Sequence, residues 1–180
     1  MTFTGFNRPC DHGKGGVCAL QLLPVSGLLS CVYDQNGYIQ SIMLREGCNF
    51  EDIQFVEHSA SFRQSTSGEY PHTSVIHELT FDIARNNPAA CNCLQMISDF
   101  EADGFVAIIK LNSGDTFLAG WSKQFNADYP LVPSALLSIS GSSPDDDPYC
   151  RITLRSKDTA FALPFTGNLM TSNPSPTHPL

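Results

Sequence analysis

The sequence predicts a mainly β, single-domain fold: a β-sandwich or barrel carrying one short helix and one long, extended hairpin. Three observations predict it. Residues 75–84 alternate apolar and polar, with Val75, His77, Leu79, Phe81 and Ile83 on one face and Ile76, Glu78, Thr80, Asp82 and Ala84 on the other, the period of a half-buried strand. Short apolar runs recur along the chain between Gly, Pro and Asn punctuation. With 180 residues, 42% apolar and 16% charged, the chain is large enough to bury a core and too apolar to stay disordered.

Taken in order, residues 1–16 are polar and glycine-rich and read as an N-terminal arm ending in Gly15-Gly16. Residues 17–23 and 28–34 are short apolar runs separated by Pro24 and Gly27, so two strands, or one bent strand, are expected there. Asn36-Gly37 is a two-residue hairpin signal leading into a strand over 39–44. Residues 53–62 and 74–84 form the arms of the long hairpin (53–84), joined by a polar stretch, 63–73, that is far longer than a tight turn requires. Its tip has almost nothing apolar to hold it to its own domain, so it is expected to dock on a neighbouring subunit or hang free.

Asn87-Pro88 places an N-cap before a proline at the first helical position, and a helix follows from 89 to about 101, with Cys93, Leu94, Ile97 and Phe100 as its buried stripe. Gly104 ends it. Residues 105–111 read as a fully buried strand and turn through Asn112-Ser113-Gly114-Asp115 into another over 116–121. Two more strands, 135–140 and 151–155, flank the acidic connector that contains Asp145-Asp146-Asp147. In the second, Arg151, Thr153 and Arg155 alternate with Ile152 and Leu154, giving one wet, basic face. The core domain then spans 17–165, and 166–180 reads as a Pro-rich C-terminal tail, because proline donates no ladder bond.

Eighteen acidic and ten basic residues give a formal charge of −8, and the basic residues lie singly along the sequence, which argues against a phosphate-gripping surface. No apolar run approaches the ~20 residues of a membrane span, and no secretory signal is visible at the N-terminus. The seven cysteines are an odd number without zinc-knuckle or redox-pair spacing, so thiols are expected.

No glycine-flanked nucleophile, phosphate-binding loop or calcium loop is present, and Ser113-Gly114-Asp115 is a hairpin turn. His58 and His77 could face each other across the hairpin near Glu57 or Glu78, but His77 shares the apolar face, so a packed histidine is the better reading than a metal ligand. No catalytic residue, cofactor or metal is expected.

The order of elements, carried by residues 13–17, 55–62 with 74–83, 93–100, 104–112 with 115–121, and 136–140 with 148–154, resembles the major tail proteins of long-tailed bacteriophages, especially those of Bacteroides-like hosts. The likeness covers about residues 10–165. It implies a structural virion protein, assembled in the host cytoplasm, that forms stacked hexameric rings. Their strands line a bore through which genomic DNA passes without specific binding. The implied partners are further copies of the chain and other phage tail proteins, with no membrane insertion. It also implies inter-ring or subunit contacts at Arg63, Gln64, Ser65, Thr66, Ser67, Gly68, Glu69, Tyr70 and Pro71, and a phosphate-repelling lumen face carrying Glu57, Glu78 and Asp82. The alternatives are another phage particle component (tail terminator, baseplate hub or decoration protein), a hydrolase or metal-binding sandwich using His58 and His77, and a binding module. The last would need Tyr38, Tyr70, Trp121 and Tyr129 clustered on one exposed face.

Overall fold

The unbroken run Phe105-Val106-Ala107-Ile108-Ile109 is buried on both of its faces, and the molecule is built around it. The computed structural model describes residues 15–69, 73–85, 87–143 and 145–171. It is mainly β, 53% strand and 10% helix, as expected. Among the described residues thirteen strands and one α-helix run β1 (Val17–Pro24), β2 (Leu28–Tyr33), β3 (Ile39–Leu44), β4 (Glu51–Asp52), β5 (Ser61–Ser67), β6 (Ser74–Ala84), α1 (Pro88–Asp99), β7 (Phe105–Leu111), β8 (Thr116–Ala119), β9 (Trp121–Ser122), β10 (Ala127–Asp128), β11 (Val132–Ile139), β12 (Tyr149–Asp158) and β13 (Leu163–Thr171). They form a seven-stranded sheet ordered β2-β3-β13-β8-β7-β1-β4, a four-stranded sheet ordered β11-β12-β6-β5, and the small β10-β9 pair.

Side chains on alternate sides of β7 feed two cores. Ala107 and Ile109, with Leu20 and Leu22 of β1, meet Leu79 and Phe81 of β6 and Ile152 and Leu154 of β12, so one cluster is shared by the two larger sheets. Val106 and Ile108 point the other way, into a cluster with Leu28, Ile39, Ile42, Leu44, Leu118 and Trp121. That second cluster draws on strands from β1 to β2 of a single sheet, which must therefore curl around it. Burying each of these large side chains contributes about 1.5–3 kcal/mol.

Local signals set the connections. Asp34 Oδ1 accepts from the amides of Asn36 and Tyr38 at 2.8 Å, closing the Asn36-Gly37 turn between β2 and β3. Asn87 caps α1 by accepting from the Ala90 amide at 2.9 Å, with Pro88 in the first turn. Cys93, Leu94, Ile97 and Phe100 pack on the shared core as the helical spacing requires. Gly120 separates β8 from β9 at φ +96°, where a Cβ would come within 2.6 Å of the Phe105 carbonyl.

Two regions depart most from the sequence reading. Residues 53–60 are not the first arm of the hairpin: they form an irregular segment, and the arm is β5, which begins at the end of the expected arm and runs into what reads as the tip loop. Ile53 and Phe55 point to the core from odd positions, but Ala60 and Phe62 do so from even ones. The chain must change register between them, and His58, at φ 64° in the turn, makes the change. Arg63 to Ser67 are polar because β5 is an edge strand, with its ladder to β6 running from Ser61↔Thr80 to Ser67↔Ser74.

The C-terminal boundary moves as well. Residues 166–171 belong to β13, which lies between β3, parallel to it, and β8, antiparallel. Gly167 passes so close to the Gln40 carbonyl that only glycine fits. The prolines that suggested a tail, 174, 176 and 179, lie outside the described residues, as do residues 1–14 of the arm expected over 1–16. Among the described residues no helix is long and apolar enough to cross a membrane.

Candidate assembly surface

The four-stranded sheet carries most of the residues that the sequence singles out. Its strands alternate in direction: β12 pairs antiparallel with β11 and with β6, and β6 pairs antiparallel with β5. Its inner face packs on the shared core. Its outer face is set by the strand register, which brings Arg63, Glu78 and Arg155 into one row, Ser65, Ile76 and Lys157 into the next, and Asp82, Arg151 and Leu137 into a third.

Two ion pairs hold this face. Arg151 donates from Nε and Nη2 to the two carboxylate oxygens of Asp82 at 2.8 and 2.9 Å, a bidentate arrangement in which the Asp82 side chain is only 12% exposed. Hydrogen bonding to Asp82, and then its charge, pushes the Arg151 guanidinium pKa upward. Arg155 Nε lies 3.3 Å from Glu78 Oε2 in a more open pair. The sequence carries a signal for this that period-2 reading misses: Glu78 and Asp82 are four apart, as are Arg151 and Arg155, so two antiparallel strands bring both pairs into register together.

This arrangement corrects the expected acidic lumen face. Glu57 is not on the hairpin; it is exposed in the 57–59 turn, 3.3 Å from the equally exposed His58. Glu78 and Asp82 are on the outer face, but each is paired with an arginine. Arg63 and Lys157 share the face and form no ion pair among the described residues, so the face bears four cations against two carboxylates. A bare phosphate-repelling wall is absent from it.

Of the expected contact residues, Arg63, Gln64, Ser65, Thr66 and Ser67 line the outermost strand, and Gly68 and Glu69 follow it, with Gly68 at φ 98°. Tyr70 and Pro71 lie outside the described residues. Both edges of the sheet are open: among the described residues β5 has a strand neighbour only in β6, and β11 only in β12. The β5 ladder is regular, without bulge or proline. The β11 strand holds Pro133 and a register shift between Pro133 and Ala135, and beyond them it carries no charged residue and leaves Leu137 47% exposed. The β5 edge, and β11 over residues 135–139, are regular enough to invite pairing with another strand.

The histidines do not meet. His77 is 1% exposed on the core face, opposite Gln64 and Ser156, and its Nε2 donates to the Ala160 carbonyl at 3.0 Å. Burial pushes its pKa down, with the Ala160 bond and Asp158 opposing. Its Nδ1 and the Ser156 hydroxyl are buried without a hydrogen-bond partner among the described residues. Gln64 Oε1 accepts from the Ala162 amide at 2.6 Å, so these two side chains fasten the β12–β13 connection onto the sheet. Among the described residues no group of three or more His, Cys, Asp or Glu could hold a metal. Trp121 is 8% exposed and donates from Nε1 to the Tyr33 hydroxyl at 2.8 Å, which takes it out of any exposed aromatic platform. Cys31 is buried, and burial alone pushes its thiol pKa up to about 12.

At one end of the sheet, the β11–β12 turn displays Asp145, Asp146 and Asp147, all exposed. Asp146 is held by the Ser142 amide at 2.9 Å, the Ser143 amide at 2.9 Å and the Ser142 hydroxyl at 3.1 Å, and these bonds lower its pKa. At the other end β11 leaves β12 after Val132↔Arg155, so Ser156, Lys157 and Asp158 have no β11 neighbour. Comparison with known protein families, with curated proteins and with solved structures found no match.

Proposed function

We propose that this chain is a structural subunit that joins edge to edge into rings, which stack into a tube wide enough for duplex DNA, as in the tail of a long-tailed phage. One observation carries the reading: the four-stranded sheet is wholly antiparallel and open at both edges. Because the strand number is even, β11 of a second copy placed beside β5 runs antiparallel to it, and a ring of copies closes one continuous sheet with no edge left over.

Magnitudes favour six copies over three. At about 4.8 Å between strands and a tilt near 40°, roughly 24 strands close at a backbone diameter of about 48 Å, leaving about 35 Å once side chains are subtracted. Roughly 12 strands would leave about 12 Å, too narrow for a duplex about 20 Å across. The support lies in the edges and not in charge, since the outer face of the sheet is a set of ion pairs with surplus cations. DNA inside such a bore would slide with a salt-dependent drag.

The test is Leu137→Lys, which puts a charge on the open β11 edge at a half-exposed position where the fold tolerates it. Native mass spectrometry of the wild-type protein should show a closed ring, and the variant should remain a folded monomer by circular dichroism. A wild-type protein that stays monomeric at high concentration contradicts the proposal.

A further inference from the structure

We infer that rings meet pole to pole along this sheet, the Asp145–Asp147 turn of one copy seating in a cationic notch at the opposite end of the sheet in the next. The inference rests on the ring reading above. The notch has a volume of about 360 Å³ and is lined by Ile76, Pro130, Val132, Arg155, Ser156 and Lys157. It exists because β11 begins only at Val132, with Leu131 bridged to Phe105 instead, so Ser156, Lys157 and Asp158 have no β11 neighbour.

Two features of the notch suit an acidic, extended segment. Lys157 is exposed and has no ion-pair partner among the described residues, and Arg155 reaches Glu78 only at 3.3 Å with its side chain half exposed. The uncovered edge of β12 supplies backbone groups to an extended chain. The acids nearby do not cancel this: Asp158 is 4% exposed and bonded to the Thr159 amide and hydroxyl, and Glu69 lies beyond the end of β5, across β6.

A second copy supplies the complement. The acidic turn immediately precedes β12 and the notch lies at its end, about 30 Å away along ten extended residues. Copies stacked along the strand direction therefore present the turn of one to the notch of the next. Asp146 is committed to its own turn, which leaves Asp145 and Asp147 to project.

The experiment is a charge swap on full-length protein, read as tube length by negative-stain electron microscopy. Lys157→Glu alone, and Asp145→Lys with Asp147→Lys, should each leave rings intact but raise the concentration needed for tubes on the order of tenfold or more, since like charges then face each other. The three substitutions combined should restore tubes. Tubes of wild-type length in either partial variant, or no recovery in the combined one, would overturn the contact while leaving the ring reading standing. Wild-type protein that forms no rings would remove both.

Discussion

Replacing Asp82 by Asn tests the ion-pair geometry on the outer face. The change keeps the shape of the side chain and removes its charge, so the two bonds from Arg151 at 2.8 and 2.9 Å lose their charge assistance. Charge-assisted bonds contribute about 1.5–3 kcal/mol each when buried, but Arg151 is 47% exposed and regains water when its partner weakens. Discounting for that exposure leaves about 1–2 kcal/mol. For a chain of this size each kcal/mol moves Tm by about 2–4 °C, so the variant should melt about 3–6 °C lower. Differential scanning calorimetry at low and high salt measures this, and a double-mutant cycle with Arg151→Met isolates the pair. A Tm within 1 °C of wild type, or strictly additive single and double variants, would refute the argument.

Other perturbations reach different parts of the fold. Asn87→Ala removes the cap on α1 and should cost about 1 kcal/mol, seen as a Tm lowered by about 2–4 °C and faster amide exchange in the first helical turn. Gly120→Ala forces a Cβ against the Phe105 carbonyl at positive φ and should cost about 2–4 kcal/mol, measured by denaturant titration. His77 is depressed in the fold, so below about pH 6.5 the unfolded chain binds a proton that the folded chain refuses. Its contribution is therefore complete above that pH and is lost as pH falls, by at most about 1.4 kcal/mol per pH unit. His77→Gln should flatten that part of the stability profile between pH 7 and 5, and an unchanged slope would show that other groups set it.

The elements that carry both a period and a stop were legible in the sequence. β6 alternates cleanly because one face meets the core and the other carries ion pairs. β7 is apolar throughout because it has a core on each side. The cap at Asn87 and the turn at Asn36-Gly37 are local chemistry and needed no tertiary information. β5 was hidden because an edge strand has little apolar to show, and Ser and Thr read as loop until β6 pairs with them. β13 was hidden behind the nearby prolines, and its place between β3 and β8 is a long-range pairing that no local pattern reports. The acidic character assigned to Glu78 and Asp82 failed for a similar reason: their charges are cancelled by arginines some seventy residues away, which only the register reveals.

The central claim is that copies join through β5 and β11. Cryo-electron microscopy of the assembled protein tests it most directly. The map should show a ring whose inner wall is one continuous antiparallel sheet, β11 of each copy lying beside β5 of its neighbour, around a bore of about 35 Å. A protein that stays a single copy at every concentration, or a ring in which these two edges face solvent, would contradict it.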